Sequence, residues 1–166
     1  AAKIDPFIKI RHDGDVNRAR TNPANTFIIA TKSSNGNCYL FDYSKHSTEK
    51  DSDASRPEVT LNGHTKEGYG LAWNGGEPNR LASASDDGRI CVWDIPGKIT
   101  DLSVRSLEPL RMFKLEEGNI AADVEWHHFD SDLLASVGSD RCCRLWDLRA
   151  DGISALATPT TGQTHT

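Results

Sequence analysis

Apolar and polar residues alternate along short segments of this chain, with a period of two that indicates β-strands rather than helices. The pattern is clearest in the middle of the chain, where three such segments follow one another: Gly68–Trp73, Arg80–Ser85 and Arg89–Trp93. Between the second and third lies Asp86-Asp87-Gly88, which predicts a tight hairpin because glycine readily adopts positive backbone torsions. The sequence therefore predicts an all-β protein.

The same pattern of residues recurs along the chain at a separation of 52 or 53 residues, and such a period is the signature of a repeat architecture. The recurring pairs are Phe41-Asp42, Trp93-Asp94 and Trp146-Asp147, then His12 and His64, and finally Trp73 and Trp126. A further apolar segment opens each unit: Pro6–Ile10, Glu58–Leu61 and Arg111–Leu115. Because each unit contains four predicted strands, we expect each unit to form one four-stranded antiparallel blade. Within residues 1–166 the units span about 6–57, 58–109 and 110–166.

The middle unit carries a set of polar residues at the spacing found in WD repeats. Gly63-His64 and Trp93-Asp94 form the signature, and a structural tetrad of hydrogen-bonded side chains is predicted at His64, Ser83, Asp87 and Trp93. The outer units carry partial versions: His12, Thr31, Asn35 and Phe41 in the first, and Ser136, Asp140 and Trp146 in the third, with Glu117 in place of the histidine. The predicted fold is a WD40 β-propeller.

Three blades do not close a propeller, since each sheet is buried against the next and rings typically contain 4–8 blades. The last residues, Gln163–Thr166, resemble the start of a fourth unit, with His165 at the place of His12 and His64. We therefore expect about four more blades in a longer polypeptide.

Composition narrows the class of partner. The net charge of -5 argues against nucleic acid as the main ligand and favours a cationic partner. Apolar runs stay short of the roughly 18 residues that a membrane span needs, and the sequence shows no secretory signal. We expect neither membrane nor direct nucleic-acid binding.

The cysteines and histidines indicate neither a metal site nor a disulfide framework. Cys38, Cys91, Cys142 and Cys143 lack the C-x-x-C spacing, which points to free thiols in a reducing compartment. Cys38, Ile90 and Cys143 share one column of the repeat, which we interpret as a small apolar site. His127 and His128 are neighbours on a predicted strand and should point to opposite faces, so we expect no metal and no cofactor.

A histidine, a serine and an aspartate within one repeat also raise the possibility of a hydrolase triad. The set recurs in degraded form in the neighbouring units, accompanies a tryptophan, and places its serine within a strand instead of on a sharp glycine-flanked turn. We interpret the chain as a non-catalytic platform and not an enzyme.

Several longer motifs point to a particular family. The segments 12–20 (HDGDVNRAR), 27–32 (FIIATK), 41–46 (FDYSKH) and 63–73 (GHTKEGYGLAW) resemble the retinoblastoma-binding, MSI-type histone-binding WD-repeat family. The likeness is close from about Ile8 to Asp94 and looser through the third unit. It implies a seven-bladed propeller in the nucleus that serves as a histone chaperone subunit shared by chromatin assembly, deacetylase, acetyltransferase, remodelling and Polycomb-type complexes.

In that family the tail of histone three lies across the end of the propeller where the loops that lead into the first strands converge. The resemblance places Asp15, Asn17, Arg18, Glu67 and Tyr69 near this basic tail. Carboxylates there would accept charge-assisted hydrogen bonds from lysine or arginine, and Tyr69 would offer an aromatic face to a cation. In the third unit Ala122 stands where an acidic residue is expected, with Asp123 beside it.

The acidic residues of these loops should gather at one end of the fold, because the loops occupy equivalent places in each unit. They are Asp13, Asp15, Glu67, Glu116 and Glu117. The expected partners are core histones and subunits of chromatin-modifying complexes. The alternative keeps the propeller as a protein-interaction scaffold but assigns it to a non-chromatin assembly, such as a ubiquitin ligase adaptor or a vesicle coat.

Overall fold

The computed structural model describes residues 8–46, 56–97, 99 and 105–150, together with a short strand at 158–159. These residues form three β-sheets and a 3-10 helix at Tyr43–Lys45. The first sheet contains β1 (Val16–Thr21), β2 (Ile28–Ser33), β3 (Cys38–Asp42), β4 (Val59–Leu61) and β8 (Ser106–Leu107). The second contains β5 (Leu71–Trp73), β6 (Arg80–Ala84), β7 (Arg89–Asp94) and β9 (Arg111–Lys114). The third contains β10 (Ala121–Trp126), β11 (Leu133–Gly138), β12 (Cys142–Asp147) and β13 (Thr158–Pro159). The all-β prediction is confirmed.

Strands β2 and β3, β6 and β7, and β11 and β12 form antiparallel hairpins in their sheets. The hairpin predicted at Asp86-Asp87-Gly88 is confirmed: the N–H of Gly88 donates to the carbonyl of Ser85 at 3.0 Å, and Gly88 has a φ of +75°. Gly36 takes the equivalent position in the first sheet with a φ of +98°. In the third sheet this position belongs to Arg141, with a φ of +62°. The three hairpins thus share one backbone shape, and one of them lacks the glycine that favours it.

The predicted grouping of strands into blades is wrong in one respect. The strand that opens each sequence unit belongs to the sheet of the preceding unit, since β4 pairs with β3 and β9 pairs with β7. An antiparallel meander returns each strand beside the one before it, and this local pairing outweighs the unit boundary. The opening segment of the first unit was predicted as a strand at Pro6–Ile10, but the described part, residues 8–10, is not a strand. Residues 6 and 7 lie outside the described residues.

The first sheet gains a fifth strand from the second unit. Strand β8 pairs with β4 in the parallel direction, with Thr60 opposite Ser106 and Leu61 opposite Leu107. The N–H of Asn62 donates to the carbonyl of Leu107 at 3.0 Å, and the side chain of Asn62 donates to the hydroxyl of Ser106 at 2.6 Å. This strand covers the backbone groups of β4 that would otherwise form an exposed sheet edge.

The three sheets stack in chain order, and their first strands lie side by side. Strand β1 contacts β5, and β5 contacts β10. One apolar cluster fills the space between the first and second sheets and includes Leu40, Leu81 and Trp93. A second cluster between the second and third sheets includes Val92 and Trp146. The second sheet is therefore buried on both faces, as stacked propeller blades require.

Repeated side-chain hydrogen bonds also join neighbouring sheets. The indole Nε1 of Trp73 donates to the carbonyl of Arg20, and that of Trp126 donates to the carbonyl of Ala72, both at 3.0 Å. Two asparagines, Asn22 and Asn74, reach forward in the same manner to the carbonyls of Pro78 and Ser131, at 2.7 and 2.8 Å. Each sheet is thus held to the next by a tryptophan and by an asparagine at equivalent places.

The outer face of the third sheet is not covered by a described sheet. Val137 and Leu145 are 44% and 40% exposed, and Cys143 is exposed. The column of Cys38, Ile90 and Cys143 was predicted to be a small apolar site. Cys38 and Ile90 are buried as this predicts, both 0% exposed, whereas Cys143 is not. The difference follows from stacking, because those two residues face a neighbouring sheet.

Candidate partner-binding rim

The strand directions bring the loops that lead into β1, β5 and β10 to the same end of the sheets. We call this end the leading rim; it contains residues 12–15, 62–70 and 115–120. The opposite rim contains residues 22–27, 74–79 and 127–132. The long connections after β3, β7 and β12 start at the opposite rim, and residues 47–55, 98, 100–104, 151–157 and 160–166 of the chain lie outside the described residues. His165, which was predicted to correspond to the repeat histidines His12 and His64, is one of these residues outside the described part of the chain.

Each leading loop is fastened to the hairpin of its own sheet by the same backbone hydrogen bond. The donors are the N–H groups of Ser34, Asp86 and Ser139, and the acceptors are the carbonyls of Asp15, Glu67 and Ile120, at 3.0, 2.8 and 3.2 Å respectively. Asp15 and Glu67 thus hold equivalent places in the first two units. Both are exposed, so their carboxylates lie at the surface of the leading rim.

Four of the five residues that the resemblance assigns to tail binding meet at the seam between the first two sheets. The side-chain amide of Asn17 donates to the carboxylate of Glu67 at 3.3 Å and to the carbonyl of Gly68 at 3.2 Å. The guanidinium Nε of Arg18 donates to the carbonyl of Tyr69 at 2.9 Å. Asn17 and Arg18 therefore position the loop that carries the other two residues. Asp15 lies two residues before Asn17 in the chain.

The seam presents chemical groups that suit a cationic ligand. Glu67 is exposed, and Tyr69 is 51% exposed although its backbone carbonyl is engaged by Arg18. An exposed tyrosine ring attracts a cation through its face, and an exposed carboxylate accepts hydrogen bonds from lysine or arginine. The geometry thus combines an aromatic surface with a carboxylate that Asn17 holds in place.

The other acidic residues of the leading rim differ in their availability. The carboxylate of Asp13 accepts hydrogen bonds from the side-chain amide of Asn35 at 3.0 Å and from the hydroxyl of Tyr39 at 3.2 Å. Asp13 therefore serves the internal hydrogen bonding of the first sheet. Glu116 and Glu117 are exposed in the third loop, where Gly118 has a φ of +86°.

Beneath the rim, the structure brings three of the four tetrad residues into one hydrogen-bonded chain. The imidazole of His64 contacts the hydroxyl of Ser83 through Nε2 at 2.6 Å and the carboxylate of Asp87 through Nδ1 at 3.3 Å. The ring of Trp93 packs against that of His64, with centroids 5.9 Å apart, but its buried Nε1 has no hydrogen-bond partner among the described residues. The tryptophan thus joins the set by packing.

The protonation states within this chain follow from burial and hydrogen bonding. Burial lowers the pKa of His64, so the neutral imidazole is favoured. Burial alone would raise the pKa of Asp87, but hydrogen bonds from His64 and from the N–H of Thr65 hold this pKa below its usual range. Because a carboxylate only accepts hydrogen bonds, Nδ1 of His64 carries the proton and Nε2 accepts from Ser83.

The outer units replace parts of the tetrad. In the first, Nε2 of His12 contacts the hydroxyl of Thr31 at 2.8 Å. In the third, the indole of Trp146 donates to the hydroxyl of Ser136 at 2.8 Å, and Arg144 forms an ion pair with Asp140. Each unit therefore has a hydrogen-bonded pair at this place, with different partners.

Two buried residues next to the leading rim have roles that were not predicted from the sequence. The buried hydroxyl of Ser85 lies 2.8 Å from the carbonyl of Lys66 and 2.7 Å from that of Glu67. Lys32 is fully buried and donates from Nζ to the carbonyl of Gly36 at 2.7 Å; burial lowers the pKa of its ammonium group. The sequence did contain a signal for Ser85, because Ser33 occupies the same column of the repeat. In the structure the Ser33 hydroxyl donates to the carbonyl of Asp13 in the same manner. No pattern in the sequence marked Lys32 as buried.

The burial of Ser83 bears on the hydrolase alternative. Ser83 is 0% exposed and His64 is 8% exposed, so a substrate could not reach the serine hydroxyl without opening the seam. Burial also raises the pKa of the Cys38 thiol, and that of Cys91 to about 12, so both thiols are protonated and unreactive. The geometry at these residues is that of a structural site.

The predicted position of the neighbouring histidines is wrong. Strand β10 ends at Trp126, so His127 and His128 lie in a turn at the opposite rim. Nδ1 of His127 accepts hydrogen bonds from the N–H groups of Phe129 and Asp130, at 3.2 and 3.0 Å, as Asn22 and Asn74 do in their turns. Within the described residues, we find no group of three potential metal ligands and no helix long and apolar enough to cross a membrane.

Comparison with known proteins identifies the class. The family described as "WD domain, G-beta repeat" matches residues 55–94 and 108–147. The structure is similar to the "Crystal structure of Myceliophteria_thermophila Cps50 (Swd1) beta-propeller domain", with a TM-score of 0.69 at 17% identity over 93% of this chain and 42% of that chain. The chain is therefore a WD40-repeat protein that forms blades of a β-propeller, as its repeats predict.

The sequence comparison identifies the relatives within this class. The chain is 44% identical over 149 residues to the "Probable histone-binding protein rba-1" of Caenorhabditis elegans, a match that covers 90% of this chain. It spans 35% of the length of that relative. The resemblance to the histone-binding WD-repeat family, which we drew from the motifs of the first two units, is confirmed.

Proposed function

We propose that this chain is part of a non-catalytic histone-binding scaffold, a histone chaperone subunit, and that its leading rim binds a basic histone tail. The observation that carries the proposal is the seam at which Asn17 and Arg18 hold the loop of Glu67 and Tyr69. Its support from outside the structure is the 44% identity to a relative whose name describes it as histone-binding.

The rim suits a basic peptide for electrostatic reasons. Lysine or arginine of the tail would donate charge-assisted hydrogen bonds to Glu67 and Asp15, and a second cationic or aliphatic side chain would lie against the ring of Tyr69. A hydrogen bond to a charged group contributes about 1.5–3 kcal/mol, so two such contacts supply about 3–6 kcal/mol of the roughly 8 kcal/mol that micromolar binding requires, and other contacts of the tail supply the rest. The loop of Glu67 is held in place by Ser85, Asn17 and Arg18.

The wider setting follows from the same proposal. The partners are core histones and the subunits of complexes for chromatin assembly, deacetylation, remodelling or Polycomb-type methylation, and the place of action is the nucleus. The net charge of -5 supports a basic protein partner over direct contact with nucleic acid.

A binding experiment with the full chain tests the site. We expect the double variant Asp15→Ala/Glu67→Ala to bind a histone three tail peptide about tenfold or more weakly at low salt, where charge contacts contribute most. The matched control is Glu77→Ala/Asp94→Ala, which removes two exposed carboxylates from the opposite rim and should leave affinity within about twofold. Equal affinity of the first variant and the unaltered protein would show that the rim is not the tail site.

A further inference from the structure

A second concave site lies at the opposite rim, on the same seam between the first and second sheets. It is a cavity of about 400 Å³, far from the leading rim because the strands separate the two ends. Its lining includes Asn22, Asn25, Ile28, Asp42, Trp73 and Ile95. A cavity of this size holds one large side chain of a partner.

Asp42 supplies the charge of this cavity. It is the aspartate of the Phe41-Asp42 pair at the end of β3, and only 7% of its surface is exposed. Its Oδ1 accepts hydrogen bonds from the N–H of Ser44 at 3.1 Å and from the Ser44 hydroxyl at 2.6 Å. Its Oδ2 receives no hydrogen bond from any residue that the structure describes.

The third unit shows what the equivalent aspartate binds. Asp147 closes β12 as Asp42 closes β3, and its Oδ1 likewise accepts from the N–H two residues on, that of Arg149, at 2.9 Å. The Arg149 side chain then donates from Nε to Oδ1 at 2.9 Å and from the terminal nitrogen to Oδ2 at 2.8 Å. This aspartate therefore takes a bidentate guanidinium, the strongest pairing that a carboxylate makes with a side chain.

The first unit has serine at the position of that arginine. Ser44 reproduces the hydrogen bonds to Oδ1 but cannot reach Oδ2, and the space beside Asp42 is the cavity. The neighbouring polar group of Asn22 is already engaged, since its Oδ1 accepts from the N–H groups of Ala24 and Asn25 and its Nδ2 donates to Pro78. Asp42 is thus the acidic side chain of the cavity lining, with an oxygen that receives no hydrogen bond from the described residues, and Ile28 and Trp73 provide apolar walls.

We propose that this cavity binds the guanidinium of an arginine from a partner protein, which takes the place beside Asp42 that Arg149 takes beside Asp147. The arginine would pair with Oδ2 of Asp42 and lay its aliphatic stem along Ile28 and the indole of Trp73. The site is separate from the tail-binding rim, so the protein could hold two basic partners, or two parts of one partner, at once.

Nuclear magnetic resonance of the full chain, with the Trp73 indole as reporter, tests this assignment. The probe is N-acetyl-arginine methylamide, and we expect saturable shifts with a dissociation constant of about 1–10 mM, typical of one buried ion pair. The uncharged isostere N-acetyl-citrulline methylamide should bind about tenfold more weakly. Equal binding of the two probes, or no saturable shift with arginine, would overturn the proposal.

Matched variants separate the cavity from general surface charge. Asp42→Asn keeps a side-chain oxygen for Ser44 and should fold, yet it should weaken binding of the arginine probe about tenfold. Asp94→Asn changes the equivalent aspartate of the second unit, which is exposed and does not line the cavity, and should leave binding within about twofold. Unchanged binding in Asp42→Asn contradicts the inference. Binding of a histone tail at the leading rim should be the same in both variants, so failure of one proposal leaves the other testable.

Discussion

The side-chain amide of Asn17 in the first sheet donates a hydrogen bond to the carboxylate of Glu67 in the second sheet, across 3.3 Å. The same amide also donates to the carbonyl of Gly68, one residue further on. A residue of one blade thereby fixes both the backbone and the side chain of the loop on the next blade. The proposed tail site is therefore a property of the seam and requires both sheets.

Removal of the Asn17 amide should weaken tail binding without unfolding the protein. In Asn17→Ala, Glu67 loses the donor that orients it, and we expect affinity for a histone three tail peptide to fall about three- to tenfold. Calorimetric titration measures this effect. Asn79→Ala, an exposed asparagine at the opposite rim, is the control and should bind as the unaltered protein does. If both variants bind equally well, Asn17 does not position the site.

The buried hydroxyl of Ser85 should contribute more to stability than its size suggests. Ser85→Ala leaves the carbonyls of Lys66 and Glu67 without this donor, and we expect the free energy of unfolding to fall by about 1–3 kcal/mol. Hydrogen exchange at residues 66–68 should also accelerate. Ser139→Ala, the exposed serine that accepts from the N–H of Ile120, should cost less than about 0.5 kcal/mol in urea unfolding. Similar losses in the two variants would argue against a special role for Ser85.

The hairpin glycine and its arginine counterpart should respond in opposite directions. Arg141→Gly relieves a positive φ in the third sheet and should stabilise the protein by about 0.5–1 kcal/mol. Gly88→Ala adds a Cβ 2.6 Å from the carbonyl oxygen of Asn119 at a φ of +75°, and should destabilise by at least about 1–2 kcal/mol. Thermal unfolding of both variants checks the pair. Destabilisation by Arg141→Gly would show that this hairpin does not strain the arginine.

The free energy of unfolding should decrease at acid pH because of His64. Its pKa is lowered by burial, so below the ordinary histidine value of about 6.5 the unfolded chain binds a proton that the folded chain does not. The free energy of unfolding should therefore fall as pH drops from 7 to 5, by at most about 1.4 kcal/mol per pH unit from this group. Urea unfolding across this range should show a smaller slope for His64→Asn, whereas His128→Asn, an exposed control, should keep the slope. Identical slopes in all three proteins would exclude His64 as the source.

Local patterns were sufficient to predict much of the fold. The period of 52–53 residues and the alternation along Arg80–Ser85 and Arg89–Trp93 predicted the hairpins, because strand period and turn chemistry are set by nearby residues. The same alignment placed Glu67 in a loop equivalent to the loop before β1, whereas Tyr69 was assigned from the family resemblance.

Features that depend on contacts between residues far apart in the chain could not be predicted from the sequence. The strand Glu58–Leu61 was placed with its own unit, whereas pairing with the preceding strand decides its sheet. The parallel strand Ser106–Leu107 is short and exposed in part, so its pairing leaves little hydrophobic pattern. Likewise, the burial of Lys32 depends on the sheet stacked against it. The cavity beside Asp42 is lined in part by Trp73 of the next sheet, so it forms only when the two sheets pack together.

Site-specific photo-crosslinking to a histone three tail tests the central claim most directly. The full chain carries a benzophenone amino acid either at Tyr69 on the leading rim or at Phe27 on the opposite rim, two aromatic residues that are each 51% exposed. We predict a crosslinked product with the tail peptide from position 69 and only background from position 27. Equal products from both positions, or product from position 27 alone, would contradict a tail-binding site at the leading rim.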